Sequence, residues 1–332
     1  MSALIIFGLL LALMLTGMPI SIALGLTVLT FLFTMTQVPL EAVALKLFTG
    51  IEKFEIMAIP FFILAGNFLT HGGVARRMIA FASAMVGHWY GGLGLAGVAA
   101  CALFAAVSGS SPATVVAIGS ILLPAMVKAG FPNKFGAGIV TTSGALGILI
   151  PPSIVMVMYS VATNTSVGAM FMAGVIPGIA LAFVLGGVTW WRARKFNYPR
   201  MPKASLAVRL RTFKDSLWGL LLIVIVMGGI YAGLFTPTEA AAMSAVYAFI
   251  IAVFVYKDMS LKDVPRVLLN SANMSAMLLY IITNAVLFSF LMSHENIPQA
   301  MADWILGKDL GVVTFLMFVN VVLLLAGNVM EP

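Results

Sequence analysis

"SGSSPATVVAIGS", Ser108–Ser120, opens with three serines, a glycine and a proline in five residues. It lies inside a stretch, Met78–Val127, that contains no Asp, Glu, Lys or Arg. Lipid-compatible flanks around a polar, helix-interrupting centre decide the fold. Ser111-Pro112 reads as a helix start, with Ser111 as N-cap and Pro112 at the first helical position. A helix that begins inside a membrane leaves its first N–H groups without ladder partners, along with the preceding carbonyls around Val107 to Gly109. In hydrocarbon each such group costs several kcal/mol, so the break persists only where protein, water or an ion supplies the partner. The segment 91–128 fits a helix that halts, turns and continues as a re-entrant hairpin.

Composition sets the medium. Of the 332 residues, 62% are hydrophobic and 9% charged, against about 25% charged in a soluble domain. Apolar runs repeatedly exceed the roughly 18 residues that mark a membrane span. Segments of about ten residues alternating apolar and polar, the mark of an outer-membrane barrel, are missing. The chain reads as an all-α polytopic membrane protein. One cysteine, Cys101, rules out an intrachain disulfide or a Cys-based metal cluster, and reads as a small packing residue. The net charge of +7 is local: eight of the 18 basic residues fall between Arg192 and Lys214. That is the positive-inside pattern, which makes 191–215 a basic cytoplasmic loop and not a nucleic-acid surface. No basic region precedes the first apolar run, which argues against a cleaved signal peptide.

The loop divides the chain into a first half, 1–190, and a second, 216–332. Residues 3–36 are broken at Gly17-Met18-Pro19, giving a short helix and a longer one. Residues 37–56 mix Glu41, Lys46, Glu52, Lys53 and Glu55 with apolar side chains and predict a helix lying at the membrane surface. Further helices are predicted near 57–70, 74–86, 91–106, from the opening motif to Lys128, from 134 to Gly147, and over 167–191. Beyond the loop come spans near 216–233, 238–256, 271–292 and 311–327, with a short helix near 297–307.

"FFILAGNFLTHGGVARRMIAFA" (61–82) can be laid on "LYIITNAVLFSFLMSHENIPQAMADWI" (279–305), which puts His71 on His294 and Met78 on Met301. Each copy is a span, a break and a short helix. The second copy then runs to "AGNVMEP" (326–332) where the first runs to "AVSGSSP". Pro332 falls where Pro112 falls, so the chain is expected to be a fragment of a longer one, ending where a second hairpin would begin.

"TTSGALGILIPPS" (141–153) is the matching break. Pro151 and Pro152 cannot donate and clash with the preceding turn, which leaves carbonyls near Gly147 and Ile150 open. Two facing breaks, rich in hydroxyls and free carbonyls, suit Na⁺, and their half-helix N-termini suit a carboxylate. Taken singly, proline kinks and helix serines are ordinary in membrane helices; two breaks within a repeat favour a binding site. Thr236-x-x-Glu239 around Pro237 is a capping box, and the carbonyls before it, including that of Gly233, are candidates to face the same cavity. His71, His88 and His294 have no second ligand at metal spacing and read as interfacial or capping residues. No long span carries Arg or Lys at its centre, where a charge is expensive.

Together "SGSSPATVVAIGSILLPAM", "GILIPPSIVMVMYS", "GLFTPTEAAAMSAVYA" and "GNVMEP" resemble the large membrane subunit of the tripartite ATP-independent periplasmic (TRAP) transporters, and the resemblance covers the whole chain. It implies a secondary transporter of carboxylates in bacterial or archaeal inner membranes, with Na⁺ as coupling ion and no other cofactor. It implies inverted repeats working as an elevator. The partners implied are a small four-helix membrane subunit (Q-type) and a periplasmic substrate-binding protein, beside membrane lipid. On this sequence one sodium site matches Ser108, Ser110 and Ser111 with backbone at Gly147, Ile150 and Pro152. A second would use Gly327, Gly233 and residues beyond Pro332. Ser111, Thr142, Ser143 and Ser153 are candidates for the substrate. Two other classes stay open: a passive channel, and an intramembrane serine hydrolase using Ser108, Ser110 or Ser111. The acid carried, the oligomeric state and the side of the N-terminus are not fixed.

Overall fold

A computed structural model describes residues 2–36, 38–307 and 311–327. In chain order its α-helices are α1 (Ser2–Leu15), α2 (Ile20–Met35), α3 (Leu40–Thr49), α4 (Ala58–His71), α5 (Val74–Val86), α6 (Gly92–Ser108), α7 (Ser111–Lys128) and α8 (Asn133–Gly144). They continue with α9 (Leu146–Leu149), α10 (Ile154–Thr163), α11 (Val167–Lys195), α12 (Leu206–Tyr231), α13 (Pro237–Ile250), α14 (Val264–His294), α15 (Ile297–Leu306) and α16 (Val312–Gly327). Among the described residues, six helices are long and apolar enough to cross a membrane, and the pair 133–149 plus 154–163, bent by 43°, makes a seventh if it is one span. The chain is an all-α polytopic membrane protein. It separates into two compact units, Met1–Glu52 with Met277–Pro332, and Lys53–Ala276.

Helix ends follow local chemistry, and three expected boundaries move. The surface helix expected over 37–56 is confined to Leu40–Thr49, closed by Gly50, with a separate tight turn at Phe54–Met57. The basic loop expected over 191–215 is helical at both ends: α11 runs to Lys195, and α12 starts at Leu206 behind Ser205, whose Oγ accepts from the Val208 N–H (3.3 Å). At 1.5 Å per residue these helices of 29 and 26 residues are about 44 and 39 Å long, beyond the roughly 30 Å hydrocarbon core. Their charged ends therefore project past the lipid as helix. The helix expected from 134 to Gly147 stops at Gly144, with a four-residue turn after it.

In the larger unit, α6, α7 and α8 are meshed by small residues. A Cβ at Gly97 would collide with Leu122, so α6 and α7 pair as an antiparallel hairpin with its tip near Gly109. A Cβ at Gly119 would lie 2.7 Å from Val140, one at Gly136 2.9 Å from Leu123, and one at Gly144 would collide with Val115. Those residue numbers sum to a nearly constant value, the signature of two helices running antiparallel in one register. Without a hydrophobic drive between helices in lipid, such close approach supplies the van der Waals contact that holds them. α4 packs on α13, on α6 and on α10, with Phe68 edge-on to Phe249 at 5.5 Å. The thiol of Cys101 is fully enclosed on α6.

In the smaller unit, Ile6, Val28, Phe31 and Leu32 pack with Val43, Leu287, Leu291 and Ile297. The buried Asn284 donates to the Tyr280 carbonyl (2.9 Å), and its amide oxygen occupies the space a side chain at Gly25 would need. The internal repeat has a structural counterpart. α4 ends at His71 and α14 at His294, and each is followed by a left-handed residue, Gly73 (φ 71°) and Asn296 (φ 53°), that starts α5 and α15.

Candidate functional site

Four helix ends meet where the two breaks touch. α6 stops at Gly109, held at φ 62°, whose N–H donates to the Ala105 carbonyl (3.0 Å). Ser110, in extended backbone (φ −137°), is the N-cap of α7, with its Oγ accepting from the Ala113 N–H at 3.5 Å. The expected cap, Ser111, is instead the first helical residue, and Pro112 the second. The extended conformation a cap requires falls one residue earlier, because Gly109 has already turned the chain.

The second break docks on this tip. The Ile154 N–H donates to the Gly109 carbonyl (3.1 Å), tying the N-terminus of α10 to the end of α6. A Cβ at Gly147 would lie 2.7 Å from the carbonyl carbon and oxygen of Ser110 and 2.8 Å from the Ser111 nitrogen, so α9 touches the tip backbone to backbone. A Cβ at Gly109 would lie 2.7 Å from the Pro152 oxygen. Ile150 packs on α11, where a Cβ at Gly178 would sit 3.5 Å from its Cα.

The hydroxyls are largely committed. Ser108, 1% exposed, and Thr114, fully buried, share a bond of 2.9 Å. The Ser110 carbonyl accepts from the Thr114 N–H (3.1 Å), from Thr114 Oγ1 (2.8 Å) and from Ser108 Oγ (3.4 Å). Ser153 Oγ donates to the Ile148 carbonyl (2.8 Å). The sequence expectation of open carbonyls is thus corrected at Gly109 and, beside Gly147, at Ile148, where protein donors have taken the place of the ladder. At Ser108 and Gly147 the ladder donor is lost covalently, because the residue four positions on is Pro112 or Pro151. Their oxygens, beside two helix N-termini and two C-termini, present both signs of partial charge without a titratable side chain.

Of the other candidates, Ser143 is fully buried on α8, and its Oγ finds no partner among the described residues. Thr142 is exposed and spends its hydroxyl on the Gly138 carbonyl (2.8 Å), so the structure does not direct it to the tip. Gly233 (φ 70°) forms the turn before α13, where Thr236 and Glu239 complete the capping box through bonds of 2.8 and 3.3 Å. A Cβ at Gly233 would meet nothing within 4 Å, so the tip does not close on it there. Gly327 ends α16 in the smaller unit, and the rest of "GNVMEP", 328–332, lies outside the described residues.

Four contributors escaped the sequence reading. Thr114 bridges Ser108 and Ser110; it lies one turn after Ser110 in the same quoted stretch. Gly66 lets α4 approach the tip, with a Cβ there 3.3 Å from the Ser108 oxygen. Beside it, Asn67 Nδ2 donates to Ser271 Oγ on α14 (2.8 Å). Lys53 Nζ donates to the Val161 carbonyl and to Asn164 Oδ1, both at 2.7 Å, and so closes the C-terminus of α10, the helix whose other end forms the site. Lys53→Met removes both bonds. Because the pair is exposed, about 1 kcal/mol is at stake. Amide exchange at Thr163 to Thr165 should rise roughly fivefold, and an unchanged rate would show that Lys53 does not hold that end.

The sequence profile of the family described as "Tripartite ATP-independent periplasmic transporter, DctM component" matches residues 7–332. A protein of Rhodobacter capsulatus named "C4-dicarboxylate TRAP transporter large permease protein DctM" is 75% identical over 346 aligned residues, covering 100% of this chain and 79% of the relative. Proteins of the same name from Pseudomonas aeruginosa and Vibrio cholerae are 55% and 46% identical, over 88% and 100% of this chain and 68% and 78% of their own lengths. These relatives are named as permease subunits and not as hydrolases.

Proposed function

Because this chain belongs to the DctM component family of the tripartite ATP-independent periplasmic transporters, we propose that it forms the path by which a C4-dicarboxylate crosses the bacterial inner membrane, coupled to sodium. The docking of two helix breaks, Gly109 carbonyl to Ile154 N–H and Gly147 to Ser110, is the observation that carries this reading. Backbone oxygens of Ser108 and Gly147, with the hydroxyls of Ser110 and Ser111, are the proposed sodium ligands. The hard oxygens suit a small monovalent cation. The N-termini of α7 and α10, with Ser143, would then receive the substrate carboxylate. A small membrane subunit and a periplasmic binding protein would complete the transporter, and the inverted-repeat units would move as an elevator. Selection of a C4-dicarboxylate is taken from the names of the relatives.

The test is uptake of labelled C4-dicarboxylate by the complete transporter in proteoliposomes, with and without an inward sodium gradient. Ser110→Ala and Ser111→Ala, which remove the proposed hydroxyl ligands, should raise the sodium concentration for half-maximal rate about tenfold, the effect of losing roughly 1.4 kcal/mol. Wild-type sodium dependence in both variants, or gradient-independent uptake by the unaltered protein, would overturn the assignment.

A further inference from the structure

Away from the helix breaks, a cavity of about 560 Å³ opens between α5, α12 and the turn after α13. Its lining combines Arg76, Arg77, Lys214 and Asp215 with the rings of Trp218 and Tyr256. The cations are not equivalent. Arg77 is pinned: it donates to Asp258 and to the Gly73 carbonyl (3.0 Å), and its guanidinium lies 3.7 Å from the Tyr256 ring centre. Tyr256 is fixed in turn by its hydroxyl, which donates to the Asp215 carbonyl (2.7 Å). Arg76 shares the Asp258 carboxylate (3.0 Å), but its side chain is 64% exposed. No acidic side chain pairs with Lys214 among the described residues. Three cations against Asp215 and Asp258 leave an excess of one positive charge at the cavity.

Its level in the membrane follows from the helices. Lys214 and Asp215 are the last charged residues before the apolar run 216–231 of α12, and Lys257 is the first after that of α13. The cavity therefore lies at a membrane boundary, on the side of the basic segment between α11 and α12. An aromatic and aliphatic floor beneath a cationic rim matches a phosphodiester whose acyl chains continue into the bilayer. A soluble phosphate would use the rim alone. On α12, Leu221 and Val224 are exposed below Trp218 and offer a track for such chains.

We propose that this cavity binds the phosphate headgroup of an anionic phospholipid, of the phosphatidylglycerol class, from the leaflet on the basic side. The occupant is independent of what the transporter carries, so the readout is lipid occupancy and not uptake. The complete transporter is purified from nanodiscs of equimolar phosphatidylglycerol and phosphatidylcholine, and retained lipid is counted by native mass spectrometry. The wild-type chain should keep one phosphatidylglycerol preferentially. Arg76→Gln with Lys214→Gln should lower that occupancy at least tenfold while leaving the thermal transition in pure phosphatidylcholine unchanged, and Arg76→Lys should restore part of it. Equal phosphatidylglycerol retention by wild type and the double variant would overturn the proposal. So would displacement of the lipid by millimolar inorganic phosphate, which would mark a site for the soluble anion.

Discussion

Gly147→Ala should reduce sodium-driven uptake by about tenfold or more at matched protein levels. The added carbon would stand 2.7 Å from the Ser110 carbonyl and 2.8 Å from the Ser111 nitrogen. Both neighbours are main chain, so no rotamer change relieves the overlap. The tip of the α6–α7 hairpin and the turn of α9 must separate, at a cost of about 1–3 kcal/mol. That separation acts directly on the oxygens proposed to hold sodium. Gly138→Ala is the control: it lies on the same helix pair with nothing within 4 Å of its added carbon, and it should transport at the wild-type rate. Initial rates in proteoliposomes decide the matter, and equal rates for the two variants would remove the docked tip from the mechanism.

Gly109→Ala carries two separable costs. At φ 62° an L side chain loses about 1–2 kcal/mol to its own carbonyl. The added carbon also falls 2.7 Å from the Pro152 oxygen, at the residue whose carbonyl accepts from Ile154. Gly233→Ala isolates the first cost, because its φ is +70° with nothing within 4 Å. The melting temperature of the purified protein should fall for both variants and clearly further for Gly109→Ala. Equal decreases would mean that the two breaks do not support one another.

Much of the architecture was written in local pattern. Apolar runs marked the spans, and Pro112, Pro151 and Pro237 marked the interruptions, because a missing N–H acts within one turn. The Thr236–Glu239 box closed as expected for the same reason: its partners are three residues apart. The repeat showed through His71 and His294, and the structure adds the left-handed Gly73 and Asn296 after them. What escaped depends on distance along the chain. Lys53 reaches across 111 residues to Asn164, and Gly66 matters only because α4 crosses the tip at Ser108. The N-cap falls one serine earlier than the sequence suggests, at Ser110 and not Ser111, since the two neighbours share the same chemistry and the turn at Gly109 chooses between them. Thr142 and Ser143 are neighbours in sequence, yet one faces outward and the other is enclosed.

The enclosed thiol on α6 has a practical side. Cys101 is the one cysteine in the sequence and is 0% exposed, and a thiol so packed is inert toward maleimides. Within these 332 residues the background for site-directed labelling is therefore silent. A cysteine placed at an exposed position of α7 such as Val116 would be the one accessible thiol among these residues and would take a spin label or fluorophore there. Such a probe would read movement of the hairpin against any second marker in the assembled transporter.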